Sequence, residues 1–173
     1  MNIFTRLRFI KTFVFDMDGV LTDGGLHIDR DGNWLRRMNI KDGYALQLAV
    51  KSGYGVVIIS GSESEPVAER LRTLGVTNVF MKVTNKEIFL KEYLVKNNLL
   101  LSETLVMGDD IPDYNCMKIA GLASCPVDAA VEIKKIASYI SHIPGGYGCV
   151  RDVIEKVLKL NNHWPLDTSI TAT

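Results

Sequence analysis

The stretch FVFDMDGVLTDG, residues 13–24, decides how the 173-residue chain folds. It opens with an aromatic and β-branched run and passes at once into carboxylates and glycines. Such a run is typical of a buried strand in a parallel sheet, whose carboxyl end opens into a polar loop. Ligands of open α/β sheets bind at that edge. Asp16 and Asp18 are also compatible with an ordinary turn, since Asp and Gly are common in turns.

Asp16 and Asp18 stand two positions apart at the end of this strand. Two carboxylates that lie close together repel each other unless a proton or a cation lies between them. A hard cation such as Mg²⁺, which prefers oxygen ligands, removes that repulsion. The motif therefore indicates a metal site at the carboxyl edge of the sheet.

Length and composition narrow the class of protein. The length suits one well-buried domain and is short for two. With 20 basic and 20 acidic residues, the balanced charge does not indicate a nucleic-acid partner. No apolar run reaches the length of a membrane span, and residues 1–10 lack the features of a signal peptide. Cys116, Cys125 and Cys149 are widely spaced, which predicts buried free thiols and a cytoplasmic protein.

Strand and helix patterns alternate after the first strand, which we place at residues 12–16. Further strands are predicted at 55–60, 79–81, 104–107, 122–125 and 137–140, and helices at 42–52, 65–74, 86–96, 112–118 and 150–160. This alternation predicts an α/β fold with a Rossmann-like parallel sheet and helices on both faces.

Local signals refine this fold. Asp42 and Asn85 are predicted to cap the helices that follow them. The glycine-rich segment 145–148 is predicted to be a flexible break. We expect one domain over residues 11–160 and a partly disordered tail over 161–173, with disorder from residue 168.

A β-hairpin is predicted within residues 22–40, inserted directly after the first strand. Two short apolar segments flank Asp31-Gly32, and Asp-Gly is a strong hairpin signal. A hairpin at this place would project over the acidic loop as a flap. Its apolar residues, including Trp34, need a packing partner, and we expect this to be another subunit.

Polar residues follow four strands in chain order: Asp16 and Asp18, then Ser60, then Lys86, then Asp109, Asp110 and Asp113. A lone Ser or Lys at such a junction is commonly a helix cap or a solvated charge. Together the residues provide metal-binding carboxylates, a nucleophile, a hydroxyl donor and a fixed cation. Phosphoryl transfer requires this combination, because its catalysis depends on positioning and charge neutralisation.

These motifs resemble those of phosphatases of the haloacid dehalogenase (HAD) superfamily, over roughly residues 11–160. Within that superfamily the chain resembles the 3-deoxy-D-manno-octulosonate 8-phosphate (KDO 8-phosphate) phosphatases, which act in a step towards lipopolysaccharide. The segments that carry this second resemblance are 21–24, the hairpin with Asp31-Gly32, 41–43 and 145–151. The family usually has Arg after the glycine of the second motif, whereas Ser62 follows Gly61 here.

The resemblance implies a role for each polar residue. Asp16 would attack phosphorus and form an aspartyl-phosphate, and Asp18 would protonate the leaving alkoxide and then deprotonate water. Ser60, Gly61 and Lys86 would contact the phosphoryl group, as would Asp18.

The resemblance also implies a metal and its ligands. Mg²⁺ would be held by the Asp16 and Asp109 carboxylates and the Asp18 backbone carbonyl. Asp113 would orient Lys86 or the metal's surroundings, while Asp110 is either ligand support or a helix N-terminal charge.

No gap between the motifs can hold a cap domain, so the resemblance implies that subunits of a homotetramer complete each other's pockets. Residues 145–148 and Arg151 would then reach a neighbour's substrate, unless the glycines are a simple connector. Arg70 offers a charge to the substrate carboxylate, or it is a solvated helix residue. The substrate would be a sugar-acid phosphate.

Three other functions stay open at this point. A phospho-accepting receiver module also gathers aspartates, a hydroxyl and a lysine around Mg²⁺, but its acidic pair and its phospho-acceptor lie on different strands. A phosphatase of a nonulosonate 9-phosphate is compatible with Ser62. A catalytically dead regulatory domain is disfavoured by the complete set of motifs.

Overall fold

A computed structural model describes residues 2–166, 168 and 169 of the chain. Its strands are β1 (Thr12–Phe15), β2 (His27–Ile28), β3 (Trp34–Leu35), β4 (Gly55–Ile59), β5 (Asn78–Phe80), β6 (Thr104–Met107), β7 (Leu122–Cys125) and β8 (Tyr139–Ile140). Its helices are α1 (Ile3–Arg8), α2 (Ile40–Lys51), α3 (Glu65–Thr73), α4 (Lys86–Lys96), α5 (Tyr114–Ile119), α6 (Val131–Ile136) and α7 (Cys149–Leu160).

The main sheet has six parallel strands in the order β5-β4-β1-β6-β7-β8. Successive side chains of a strand point to opposite faces, so β1 contributes Phe13 and Phe15 to one core and Val14 to the other. The first core packs against α1, α2, α3 and α7, and the second against α4, α5 and α6. The predicted parallel α/β sheet with helices on both faces is confirmed.

Helix α7 shows how the sequence pattern produces this packing. Val150, Val153, Ile154, Val157 and Leu158 recur at helical spacing and are all fully buried. They seat the helix in the first core, where its main helical neighbour is α2.

The hairpin forms where it was predicted, with shorter strands. β2 and β3 pair antiparallel, with Ile28 opposite Trp34, and Gly32 in the turn has a φ of +81°. Gly is favoured there because residues that carry a side chain rarely adopt a positive φ. Large apolar side chains of the hairpin remain exposed, namely Leu26, Ile28, Trp34 and Leu35.

One of the two predicted helix caps is wrong. Asn85 caps α4 as predicted, because its Oδ1 accepts from the Ile88 N–H at 3.0 Å. Asp42 lies inside α2, whose N-cap is Asn39. The Asp42 Oδ1 instead accepts from the backbone N–H of Arg151 in α7 at 2.7 Å.

The predicted flexible break at residues 145–148 is wrong too. The Gly145 N–H donates to Asp128 Oδ1 at 3.0 Å, and the Gly146 N–H donates to the Val20 carbonyl at 2.9 Å. A Cβ on Gly145 would lie 1.9 Å from the Gly19 carbonyl oxygen. The glycines therefore allow this segment to pack directly beneath the loop that carries Asp18.

Residues near both ends of the described chain pack against the first core. The sequence patterns did not predict α1 and α6. Leu7 and Ile10 are buried in the first core, so packing begins before residue 11. Trp164 packs partly buried against the same core. Most of the disorder predicted over residues 168–173 falls outside the described residues. Among the described helices, none has both the length and the apolar character needed to cross a bilayer.

Candidate active site

A cleft of about 320 Å³ opens at the carboxyl ends of β1, β4 and β6. Because these three strands are neighbours, residues that follow them meet at one edge. The cleft is lined by Asp16, Asp18, Gly24, Ser60, Gly61, Ser62, Lys86, Asp109, Asp110, Pro112 and Asp113.

Three carboxylates form the floor of the cleft. One oxygen from each of Asp16, Asp109 and Asp113 lies within 4.8 Å of the others. Burial, with the charges of Asp16 and Asp113, raises the pKa of Asp109 to about 8. Burial and the charge of Asp113 raise the pKa of Asp16 to about 6. These shifts are the expected result of burying acidic groups close together, and they outweigh the charge of Lys86, which lowers both pKa values.

Two further observations fit a cation at this place. Asp109 Oδ1 is buried and has no hydrogen-bond partner among the described residues. A Cβ on Gly19 would lie 2.0 Å from Asp109 Oδ2, so Gly19 leaves room for that carboxylate. A buried carboxylate oxygen without a donor is a suitable ligand for a hard cation.

Lys86 links two of the carboxylates. Its buried Nζ lies 2.7 Å from Asp16 Oδ1 and 2.7 Å from Asp113 Oδ1. Burial opposes the lysine's charge, but Asp16 and Asp113 raise the pKa of Lys86. The second Asp113 oxygen accepts from the Asp109 N–H at 3.0 Å. Asp113 is thus occupied by donors, which leaves Asp16 and Asp109 as the carboxylates best placed for a metal.

Asp18 is held by the hairpin and by the loop after β4. Arg36 donates from Nε to Asp18 Oδ1 at 2.8 Å and from Nη2 to Oδ2 at 3.2 Å. The Ser62 hydroxyl donates to Asp18 Oδ2 at 2.6 Å. Burial opposes ionisation, but the hydrogen bonds from Arg36 and Ser62 lower the pKa of Asp18. The sequence patterns did not point to Arg36, although the predicted position of the hairpin over the acidic loop was a signal for it.

Ser60 and Asp110 also line the cleft. Ser60 is buried, and its Oγ lies 3.2 Å from the Ser62 Oγ. Asp110 Oδ1 accepts from the Ile111 N–H at 2.8 Å and caps the short helical turn there. Of the two roles left open for Asp110, the structure favours the helix N-terminal charge.

Arg70 and Arg151 do not line the cleft formed by this chain. Arg70 lines a groove between the hairpin, α2 and α3. Arg151 donates to Glu155 at 3.1 Å, and its guanidinium lies 5.3 Å from the Trp164 ring centre. Contact of either arginine with a substrate stays a prediction.

The parallel sheet and this arrangement of Asp, Ser and Lys residues at its edge define a protein of the HAD superfamily. Sequence comparison identifies the family more closely. The chain is 32% identical over 157 residues to the 3-deoxy-D-manno-octulosonate 8-phosphate phosphatase of Salmonella typhi, covering 91% of this chain and 84% of the relative. The same identity and coverage hold for the Escherichia coli K12 enzyme of that name. The chain therefore belongs to the family of KDO 8-phosphate phosphatases.

Solved structures support the same assignment. A KDO 8-phosphate phosphatase from Moraxella catarrhalis, solved with magnesium, phosphate and KDO, has a TM-score of 0.90 at 31% identity and covers 93% of each chain. The Yersinia pestis enzyme has a TM-score of 0.90 at 28% identity over 93% of this chain and 87% of its own. No protein-family model matches the chain.

Proposed function

We propose that this protein is a Mg²⁺-dependent phosphomonoesterase that hydrolyses KDO 8-phosphate to the free sugar acid and phosphate. The observation that carries the proposal is the pairing of Asp16 with Asp109, whose buried Oδ1 has no hydrogen-bond partner in the described part of the chain, beside the fixed cation of Lys86. The names of the relatives and the KDO, magnesium and phosphate of the Moraxella structure support the choice of substrate and metal.

Mg²⁺ would be held by the carboxylates of Asp16 and Asp109 and by the backbone carbonyl of Asp18. Asp113 supports this site by accepting from Lys86 and from the Asp109 N–H, while Asp110 caps the helical turn beside it. The ion would neutralise charge on the transferring phosphoryl group and orient it.

The chain's own residues would carry the covalent steps. The Asp16 carboxylate attacks phosphorus and expels the sugar alkoxide, to which Asp18 gives a proton. Water, deprotonated by Asp18, then attacks the aspartyl-phosphate and releases phosphate and the free Asp16 carboxylate. Lys86 and the Ser60 hydroxyl hold the phosphoryl oxygens through both displacements. Asp16 and Asp18 follow one strand, which favours a phosphatase over a receiver module.

We further propose that residues 11–160 act as one catalytic domain within a homotetramer. The exposed apolar residues of the hairpin support an assembly, because contiguous apolar surface favours association. In this assembly Arg151 of one subunit would approach a neighbour's substrate. The enzyme would act in the cytoplasm, in a step towards lipopolysaccharide.

The substitution Asp16→Asn tests this function. It should remove Mg²⁺-dependent phosphate release, because the neutral amide is a poor nucleophile, while the circular dichroism spectrum stays unchanged. Wild-type enzyme should prefer KDO 8-phosphate to a nonulosonate 9-phosphate, and chelation by EDTA should stop turnover. Near-normal turnover by Asp16→Asn would refute the nucleophile, and a preference for the nine-carbon ester would refute the substrate.

A further inference from the structure

Ser62 connects the residue that would act on the leaving group with a residue that would hold the phosphoryl group. Its hydroxyl donates to Asp18 Oδ2 at 2.6 Å, and its backbone N–H donates to Ser60 Oγ at 3.2 Å. The hydroxyl oxygens of the two serines also lie 3.2 Å apart. Because Ser62 lines the cleft, it contacts both Asp18 and Ser60 at the place where a phosphate ester would bind.

The loop that carries the two serines is fixed by the segment at and after β5. The Ser60 N–H donates to the Phe80 carbonyl at 2.9 Å, and the Val83 N–H donates to the Ser60 carbonyl at 3.0 Å. The Lys82 N–H donates to the Ser62 carbonyl at 3.2 Å. Ser62 is therefore a firm support for the carboxylate that its hydroxyl binds.

Arg36 alone cannot place Asp18 relative to the phosphoryl group. It holds Asp18 from the two-stranded hairpin, which is separate from the main sheet. A proton donor must come within about 3 Å of the leaving oxygen, so Asp18 has to be placed relative to the phosphorus that this oxygen leaves. The Ser62 hydroxyl supplies that placement, since it ties Asp18 to the loop that carries Ser60. A hydroxyl both donates and accepts, so it can stay bound to Asp18 in both catalytic steps, whereas a guanidinium only donates.

We propose that Ser62 is a positioning residue that holds Asp18 against the leaving oxygen of the bound phosphate ester. The inference rests on the proposed function, in which Asp18 protonates that oxygen. A sugar alkoxide is a poor leaving group and needs the proton, whereas the phenolate of p-nitrophenyl phosphate is a stable anion and leaves without one. Loss of the Ser62 hydroxyl should therefore slow cleavage of the sugar ester more than cleavage of the aryl ester.

The test measures kcat/KM for KDO 8-phosphate and for p-nitrophenyl phosphate on the same preparation of each variant. The ratio of the two values does not depend on the fraction of active enzyme. Because kcat/KM covers the steps up to departure of the leaving group, later hydrolysis of the aspartyl-phosphate does not enter it. Ser62→Ala should lower the ratio of sugar ester to aryl ester by about tenfold or more, because the acid is displaced. Ser62→Thr keeps the hydroxyl and should restore most of the ratio.

A double-mutant cycle shows whether Ser62 acts through Asp18. Asp18→Asn removes the acid and should lower the ratio by a larger factor than Ser62→Ala does. Adding Ser62→Ala to Asp18→Asn should lower it further by less than about twofold, because the residue that Ser62 positions is already disabled. The same cycle in kcat/KM for KDO 8-phosphate alone makes this comparison if the aryl ester is a poor substrate.

Ser64→Ala is the matched control for Ser62→Ala. It removes a buried hydroxyl two residues further along the chain, which makes no capping hydrogen bond to α3. The ratio of the two kcat/KM values should stay at that of wild type.

Each failure has its own signature. If Ser62→Ala lowers kcat/KM for both esters by the same factor, or for neither, its hydroxyl does not position the acid and the inference is wrong. A full further loss when Ser62→Ala is combined with Asp18→Asn would also overturn it, because Ser62 would then act independently of Asp18. If Asp18→Asn leaves the ratio unchanged, the role given to Asp18 is wrong and the inference falls with it. If wild-type enzyme releases phosphate from neither ester, the proposed function is wrong.

Discussion

Asp42 shows how a single residue away from the cleft is placed by long-range packing. Its side chain is buried in α2, one oxygen accepts from the Arg151 N–H, and the other has no partner among the described residues. Burial raises the pKa of Asp42 to about 7, although the N–H groups of Arg151 and Gly148 act in the opposite direction. The folded protein therefore binds this proton more tightly than the unfolded chain does. The stability that follows is complete below about pH 4 and is lost as the pH rises through about 7.

We therefore predict that Asp42→Asn stabilises the protein at neutral pH. The amide keeps an acceptor for the Arg151 N–H and removes the cost of burying a charge. Its free energy of unfolding should exceed that of wild type by about 1–3 kcal/mol at pH 7.5, and the difference should shrink towards zero at pH 4. Urea denaturation at the two pH values measures this. Asp31→Asn, in the exposed hairpin turn, is the control, and equal effects of Asp42→Asn at both pH values would contradict the prediction.

Among the described residues that line the cleft, Lys86 is the one that carries a positive charge, so no neighbour there can replace it. Lys86→Met should lower kcat at least 100-fold, because the cation beside Asp16 and the transferring phosphoryl group is lost. Lys91→Met is a matched control, since Lys91 lies exposed on the same helix and pairs with Glu87. Steady-state phosphate release at saturating Mg²⁺ makes the comparison. A kcat for Lys86→Met close to that of Lys91→Met would contradict the role given to Lys86.

At the scale of secondary-structure elements, the sequence predicts the strands, helices and caps that depend on residues close together in the chain. Apolar runs identified the strands of the main sheet, and Asn85 marked the start of α4. The prediction for Asp42 failed because its partner, the start of α7, is more than a hundred residues away. Arg36 was missed for the same reason, since its contacts depend on how the hairpin folds over the loop. The helices α1 and α6 were missed because six residues are too few for a clear helical period.

The segment 145–148 supports the catalytic loop and so links two distant elements. Gly145→Ala would place a Cβ 1.9 Å from the Gly19 carbonyl oxygen, so the loop that carries Asp18 must move. We expect kcat to fall at least tenfold with the fold retained, because small displacements of catalytic groups are costly.

Gly25→Ala is the matched control for this substitution. A Cβ there would lie 3.2 Å from the Asp23 carboxylate, a side chain that can move aside. Steady-state kinetics and thermal unfolding should separate the two variants, with Gly25→Ala close to wild type in both. Equal kcat values for Gly145→Ala and wild type would show that the segment does not support the loop.

At the scale of the whole molecule, the hairpin carries apolar surface that its own chain does not cover. Ile28 and Trp34, which face each other across the two strands, are 61% and 58% exposed.

If the hairpin packs against other subunits, Ile28→Asp should dissociate the assembly, because it buries an unpaired charge at the interface. Light scattering after size-exclusion chromatography should give the mass of four chains for wild type and a smaller mass for the variant. Val95→Asp is the control, since Val95 is 79% exposed on α4. Because Arg36, which holds Asp18, lies on the same hairpin, dissociation should also lower kcat/KM for KDO 8-phosphate, and a dissociated variant with unchanged kcat/KM would separate the assembly from the site.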